Sequence, residues 1–454
     1  MFIKAKKAVD FKGFSRWNLN PYQMLTLGFT AAILLGTFLL MLPEAAQDGS
    51  SLPFIDALFT ATSAVCVTGL TVVDTGNYFS IFGQMVIILL IQVGGLGVMT
   101  LTTLFAVLLG RRIKLSKRLL VQESLNQLSL EGMVHLVLYV VKVTLLLEFI
   151  GGTILSLRFW GEYGWRGVYY GYWHAVSGFC NAGFDLFGGS NIFRYATDPV
   201  VVLTIGGLII LGGIGFAVME DIFEHRSWNL LAEQSKIVLS MSAFLLLFGM
   251  VMLFILEYHN KGTIGDMSFG GKLLASFFES VTARTAGYTM LDNGALTEAS
   301  LFLVIALMFI GASPASTGGG IKTSTFAIIV AAVWGLIRGK DEVTLYSREV
   351  PQETILRALT LFFIAAVLIF FVTMYLCVTE DISVIRSAFE VVSAFATVGL
   401  TTGITPSLTS DGKFILVLVM LMGRVGVVTV AMALAMKKNS RTHYHHPAGK
   451  FTIG

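Results

Sequence analysis

The feature that most restricts this chain is a set of charge-free apolar runs, each long enough to cross a membrane as a helix. No charged residue lies between Arg16 and Glu44, and none between Asp74 and Arg111. About 20 consecutive apolar residues cross a bilayer as a helix, whereas a membrane β-strand alternates in character over about ten. Continuous runs therefore predict helices and not a barrel. Hydrophobic residues make up 55% of the chain and charged residues 13%, and a soluble protein needs roughly 25% charge to cover its surface. An integral membrane protein is expected, neither soluble nor disordered. The net charge of +3 is too balanced for a nucleic-acid binder. Cys66, Cys180 and Cys377 lie far apart in apolar stretches and suggest neither a disulfide framework nor a metal site. The basic first twenty residues lead into an apolar run that reads as a first spanning helix rather than a cleaved signal.

Long spans are expected near 23–43, 80–110, 132–157, 199–219, 235–256, 297–337, 354–378 and 412–436. Between the members of each pair lies a shorter apolar stretch, near 54–67, 168–181, 272–285 and 384–397. Those lengths suit re-entrant segments better than full crossings. Of the 31 Lys and Arg residues, nineteen fall in segments 1–22, 111–118, 220–236, 338–350 and 437–454, against eight in the opposite loops. The positive-inside rule then puts both termini in the cytoplasm, with the re-entrant stretches opening outward.

The chain also repeats itself. Gly69, Gly183, Gly287 and Gly399 each end a re-entrant stretch, at separations of 114, 104 and 112 residues. Ten residues before them stand Phe59, Trp173, Phe277 and Phe389, and five before, Ala64, Gly178, Thr282 and Ala394. Directly after them come Leu70, Phe184, Tyr288 and Leu400. A second Gly-bearing motif follows inside each long helix, beginning at Gly94, Gly212, Gly311 and Gly423. One register with four matched columns indicates four copies of a unit. The fold expected is an all-α integral membrane protein of four tandem helix–pore-helix–loop–helix units. That makes eight transmembrane helices plus four re-entrant pore helices around one pseudo-fourfold pore. The divisions are an N-terminal cytoplasmic segment 1–22, repeats at 23–118, 119–230, 231–350 and 351–438, and a cytoplasmic tail 439–454.

Four loops around one axis suit a cation filter, because a cation entering a bilayer must exchange its hydration shell for oxygens. Irregular backbone at membrane depth is tolerated only where it lines such a cavity. The loops read Val67-Thr68-Gly69, Asn181-Ala182-Gly183, Thr285-Ala286-Gly287 and Thr397-Val398-Gly399. None carries an acidic ring, which favours carbonyl coordination of a monovalent cation. Asp74, Asp185 and Asp292 follow the first three loops, as solvated loop acids or as a negative vestibule.

These loops, with VDTG from Val73 to Gly76, NAGF from Asn181, RTAGY from Arg284 and TVGLTTG from Thr397, resemble the superfamily of Trk, Ktr and plant HKT potassium transporters. The resemblance runs over nearly the whole chain and is nearest to the membrane subunit of bacterial Ktr potassium uptake systems. It implies one pore per chain, a homodimer in the bacterial cell membrane, and a cytosolic nucleotide-binding (RCK/KTN-type) regulatory ring. Glycine at all four filter positions, Gly69 included, implies potassium as the transported ion.

The sixth span breaks at Gly311-Ala-Ser-Pro314, continues through Gly318-Gly319-Gly320, and ends in Lys322. Proline and consecutive glycines cannot hold a helix. The break reads either as a packing kink or as a flexible loop obstructing the pore, and the resemblance implies an intramembrane gating loop. Arg424 lies mid-span, where a lone cation must face a polar interior. It is either satisfied by neighbouring carbonyls or, as the resemblance implies, an electrostatic barrier gating with that loop. Lys142 and Glu148 are read as structural, His174 as a satisfied core histidine, and Asp56 as a helix N-terminal charge.

No GxxxxGK[ST] loop is present and no cytosolic segment could hold a nucleotide domain. No cofactor is expected in this chain, and ATP or ADP would act only on a partner subunit. Docking is expected on the basic loop Arg111–Arg118, on segment 338–349 and on the tail, where His443, His445 and His446 read as solvated residues. No HExxH, GxSxG or paired-aspartate motif marks an enzyme. The leading function is potassium uptake through a channel-like pore. The alternative is an ion-coupled (Na+ or H+) secondary cation symporter.

Overall fold

The computed structural model describes residues 21–97, 100, 104, 133–188, 191–339, 342–426 and 429. The basic loop 111–118, the N-terminal segment 1–20 and the tail with its histidines lie outside the described residues. Helix α1 spans Pro21–Leu40, α2 Phe54–Cys66, α3 Ile81–Leu96, α4 Met133–Tyr163, α5 Trp165–Phe179, α6 Pro199–Ile214 and α7 Phe216–His225. They are followed by α8 Glu233–Glu257, α9 Phe269–Thr282, α10 Glu298–Phe309, α11 Thr323–Ile337, α12 Gln352–Thr379, α13 Val384–Phe395 and α14 Ser410–Val425. Helices α1, α4, α8 and α12 are long and apolar enough to cross a membrane, and their lipid-length faces are mostly exposed, as expected where lipid is the solvent.

Each short helix packs between long ones. Helix α2 lies against α1, α3 and α14; α5 against α4, α6 and α3; α9 against α8 and α6; and α13 against α12, α10 and α14. The contact of α14 with α2 brings the last helix to the first short one. Helices α3, α6, α10 and α14 all start on a polar cap: Ser80 accepts from Gly83 N at 3.3 Å, Asp198 from Val200 N at 2.9 Å, Thr297 from Ser300 N at 3.3 Å, and Thr409 from Gly412 N at 3.2 Å. These caps satisfy amides that open the return helices.

The structure corrects the expected spans in one place. The span near 199–219 is two helices, α6 and α7, bent by 93° at Gly215. In the spans near 80–110 and 412–436 the helices α3 and α14 run to Leu96 and Val425, and most of 98–110 and 427–436 lies outside the described residues. A glycine of the same backbone form caps each of α3, α6 and α14: Gly97 (φ 84°, ψ 133°), Gly215 (φ 102°, ψ 137°) and Gly426 (φ 97°, ψ 129°). Only glycine holds such a conformation without strain. The long sixth span breaks where its sequence indicated, between Phe309 and Thr323. One hairpin departs from the all-helical expectation, with β1 Thr344–Leu345 pairing β2 Arg348–Glu349. It rests on α8 through Tyr346 Oη to Ser240 Oγ (3.0 Å) and Arg348 Nε to Glu233 Oε1 (3.1 Å).

Candidate functional site

The ends of α2, α5, α9 and α13 build one site. Each helix runs into a residue with left-handed backbone: Val67 (φ 58°), Asn181 (φ 59°), Thr285 (φ 66°) and Thr397 (φ 50°). Two residues on stand Gly69 (φ 95°), Gly183 (φ 70°), Gly287 (φ 73°) and Gly399 (φ 97°). A β-branched residue at positive φ is a strained arrangement, of the kind found at functional sites. Backbone bonds hold the turns: Thr68 N to Ser63 O (2.7 Å), Ala182 N to Ser177 O (2.8 Å), Ala286 N to Thr282 O (3.0 Å) and Val398 N to Ser393 O (2.8 Å).

The four loops touch one another in sequence. A methyl group built on Gly69 would stand 2.5 Å from the Ala182 carbonyl oxygen, and one on Gly183 would stand 2.6 Å from that of Ala286. On Gly287 it would collide with the Val398 carbonyl, and on Gly399 with the Thr68 carbonyl. The contacts run from first loop to second, second to third, third to fourth, and fourth back to first. The second and third residues of all four expected loops take part in this circuit. The hydroxyls of Thr68 and Thr397 are buried without a hydrogen-bond partner among the described residues.

A column of hydroxyls was not read from the sequence. Ser63 Oγ accepts from Gly69 N and Ser393 Oγ from Gly399 N, both at 3.0 Å. Ser177 Oγ donates to Phe184 O (2.9 Å) and Thr282 Oγ1 to Tyr288 O (2.8 Å). The signal was a serine six residues before three of the four glycines. The third unit is one residue shorter there, so Thr282 takes the place, and Phe278 rather than Phe277 fills the core.

The segment from Ile310 to Lys322 lies against this ring. Gly318 abuts the Thr285 hydroxyl, Gly319 abuts that of Thr397, and a methyl on Gly320 (φ 70°) would meet Ala396 Cβ at 3.0 Å. Lys322 Nζ donates to Gly318 O (2.8 Å), and Arg284 Nη2 to Gly311 O (3.2 Å). Pro314 O faces Gly215. Arg424 donates through one terminal nitrogen to Thr317 O and through the other to Gly94 O. Arg424, Lys322, Gly318 and Gly95 border a cavity of about 750 Å³. All seven residues expected at the gate therefore sit in or beside this segment.

Other expectations resolve locally. Asp74, Asp185 and Asp292 each accept from a backbone amide two residues on, at 3.0, 3.0 and 2.9 Å, as turn-forming aspartates do. His174 bonds Tyr170 O (2.6 Å) and accepts from Leu186 N (3.3 Å), a satisfied core histidine. Glu148 is buried and accepts from Gln92 Nε2 (3.3 Å). Cys66, Cys180 and Cys377 are free thiols. Among the described residues no cluster of three or more His, Cys, Asp or Glu is placed to hold a metal ion.

Known proteins are similar to this chain over nearly its whole length. Residues 18–445 match the family model described as TrkH, cation transport protein. The chain is 42% identical to the Ktr system potassium uptake protein B of Bacillus subtilis, covering 97% of this chain and 98% of that one. It is 41% identical to the potassium/sodium uptake protein NtpJ of Enterococcus hirae, again covering 97% and 98%. The crystal structure of the potassium transporter TrkH from Vibrio parahaemolyticus shares the fold, with a TM-score of 0.73 at 16% identity over 93% of this chain and 86% of that one. That family transports ions and is not one of enzymes, and this chain belongs to the TrkH family of cation transport proteins.

Proposed function

We propose that this protein is the ion-conducting subunit of a potassium uptake system, with one pore formed by four tandem units. The observation that carries this reading is the closed circuit of contacts among the four glycine loops. A ring of successive backbone carbonyls at membrane depth can replace the hydration shell of a monovalent cation. The relatives' names, which speak of potassium uptake, support the choice of ion. The filter is Val67 to Gly69, Asn181 to Gly183, Thr285 to Gly287 and Thr397 to Gly399. An inside-negative potential contributes about 2.3 kcal/mol per charge per 100 mV, enough to accumulate potassium without a coupling ion.

The barrier is segment Gly311 to Lys322 with Arg424. Its glycines lie directly against the ring, and the Arg424 fork ties it to α3. Control comes from a cytosolic nucleotide-binding ring, since this sequence has no nucleotide motif and its relatives are named as parts of a Ktr system. The working unit is a homodimer in the cell membrane with both termini cytoplasmic.

The test is cation flux into proteoliposomes of the purified chain, under a potassium gradient with a proton ionophore, then with sodium replacing potassium. Selective potassium flux driven by gradient and potential alone is expected. Flux that requires a sodium or proton gradient would replace this reading with coupled symport.

A further inference from the structure

We propose that the corner between α6 and α7 is a second clamp on segment 310–322, and that Phe216 and Asp221 are positioning residues of the barrier. This rests on the reading of that segment as the barrier.

A helix that stops inside a protein leaves its last carbonyls and its successor's first amides without partners. The break at Gly215 creates both sets at one point, and the segment satisfies both. Ser313 N donates to Gly213 O (3.0 Å), Thr317 N to Gly212 O (3.2 Å), and Phe216 N to Ala315 O (2.8 Å). Thr317 Oγ1 adds a bond to Gly212 O (3.1 Å). Alternate residues of the segment are therefore laid along the corner. Ala315 is held at a φ of 55°, a conformation that alanine does not keep unaided.

Thr317 joins this clamp to the other. Its amide and hydroxyl bind α6, and its carbonyl accepts from Arg424. A shift that frees Thr317 from α6 also moves the oxygen held by Arg424. Buried hydrogen-bond groups that lose partners are costly, so these bonds break together or not at all.

Helix α7 is the part that can transmit such a shift. At one end Phe216 is buried and grips the segment. Midway along the helix Asp221 Oδ2 accepts from Ala232 N (2.9 Å), just before α8, and Glu220 Oε1 lies 3.2 Å from His135 Nδ1 on α4. Asp221 lies about 7.5 Å along the axis from Phe216 at 1.5 Å per residue. Displacing the helix at Asp221 pulls Phe216 N off Ala315 O.

The experiment measures passive potassium flux through the full chain in proteoliposomes. Asp221→Ala, which releases the middle of α7 from the start of α8, is expected to raise maximal flux at least threefold. The half-saturating potassium concentration and the potassium-to-sodium preference, both set at the ring, should not move. Phe216→Pro is expected to raise flux more than Phe216→Ala. Both remove the ring, but only proline removes the N–H, at a first-turn position where helices accept it. If Phe216→Pro does not fold, Thr317→Val deletes the hydroxyl bond to Gly212 O at constant shape, leaving the amide bond, and should raise flux in the same direction. Flux at or below wild type in Asp221→Ala and in the proline or valine variant, at equal folded amounts, overturns the proposal. A chain shortened within 314–319 separates the two readings. If shortening raises flux while the corner variants do not, the clamp is wrong and the barrier stands. If shortening raises nothing, both fall.

Discussion

Lys413 Nζ lies 2.8 Å from Asp56 Oδ1, joining the first turn of α14 to the first turn of α2 across 357 residues of sequence. The two side chains are only 12% and 19% exposed. Losing one partner of a largely buried pair strands the other, and either Lys413→Ala or Asp56→Ala is expected to cost about 2–3 kcal/mol. Thermal unfolding in detergent measures it. The swap Asp56→Lys with Lys413→Asp should recover only part of the loss, because an acid suits the start of α2 and a lysine does not. Single variants as stable as wild type would show that the pair adds nothing.

Gly69 sits at φ 95° with the Ala182 carbonyl 2.5 Å from where a Cβ would be. Gly69→Ser therefore strains its own loop and pushes on the next. Each such backbone conflict costs about 1–3 kcal/mol, comparable with the difference that separates two monovalent cations at a carbonyl site. The expected outcome is a fall in potassium-to-sodium preference of about tenfold, read from flux or reversal potential in mixed gradients. An unchanged preference would remove Gly69 from the selective path.

How much of this was legible follows from particular residues. The loops were readable because left-handed backbone and carbonyl contact demand glycine, and Gly69, Gly183, Gly287 and Gly399 stand at near-regular intervals. The break at Gly311–Gly320 was readable because proline and three glycines cannot be helical. The corner at Gly215 and the helix caps at Gly97 and Gly426 were not, because a glycine inside an apolar helix signals close packing equally well. Gly94, Gly212 and Gly423 do pack that way, against the carbonyls of Val65, Phe179 and Phe395. In the third unit Pro314 stands where the others have the corner glycine, which hid the common pattern. The partner of Asp56 was invisible, since nothing local points 357 residues ahead.

Arg424 donates to the carbonyls of Thr317 and Gly94 at once. Charged hydrogen bonds of this kind are worth roughly 2 kcal/mol each, so an opening that breaks one of the two is opposed by a factor of about thirty, which alanine at this position would remove. Arg424→Ala is expected to raise passive potassium flux several-fold to thirtyfold. Arg424→Lys should fall between the two, because a single ammonium does not reproduce the planar fork. Proteoliposome flux at equal protein density is the measurement. A lower flux in Arg424→Ala would instead make Arg424 a brace of the folded state.

Glu148 is 5% exposed on α4. Its Oε2 accepts from Gln92 Nε2 at 3.3 Å, and the Cys180 thiol lies 3.8 Å from Oε1 and 3.6 Å from Gln92 Oε1. The cluster links α4, the end of α3 and the entrance of the second loop, behind the ring rather than in it. Glu148→Ala leaves the half-buried Gln92 with an unmet donor and is expected to lower stability by about 1–2 kcal/mol. Glu148→Gln keeps the shape and an acceptor, and should cost less than half as much. Because the ring is untouched, neither variant should change the potassium-to-sodium preference. Thermal unfolding paired with flux selectivity distinguishes the cases: a lost preference in Glu148→Gln, with stability intact, would move this carboxylate from scaffold to ion path.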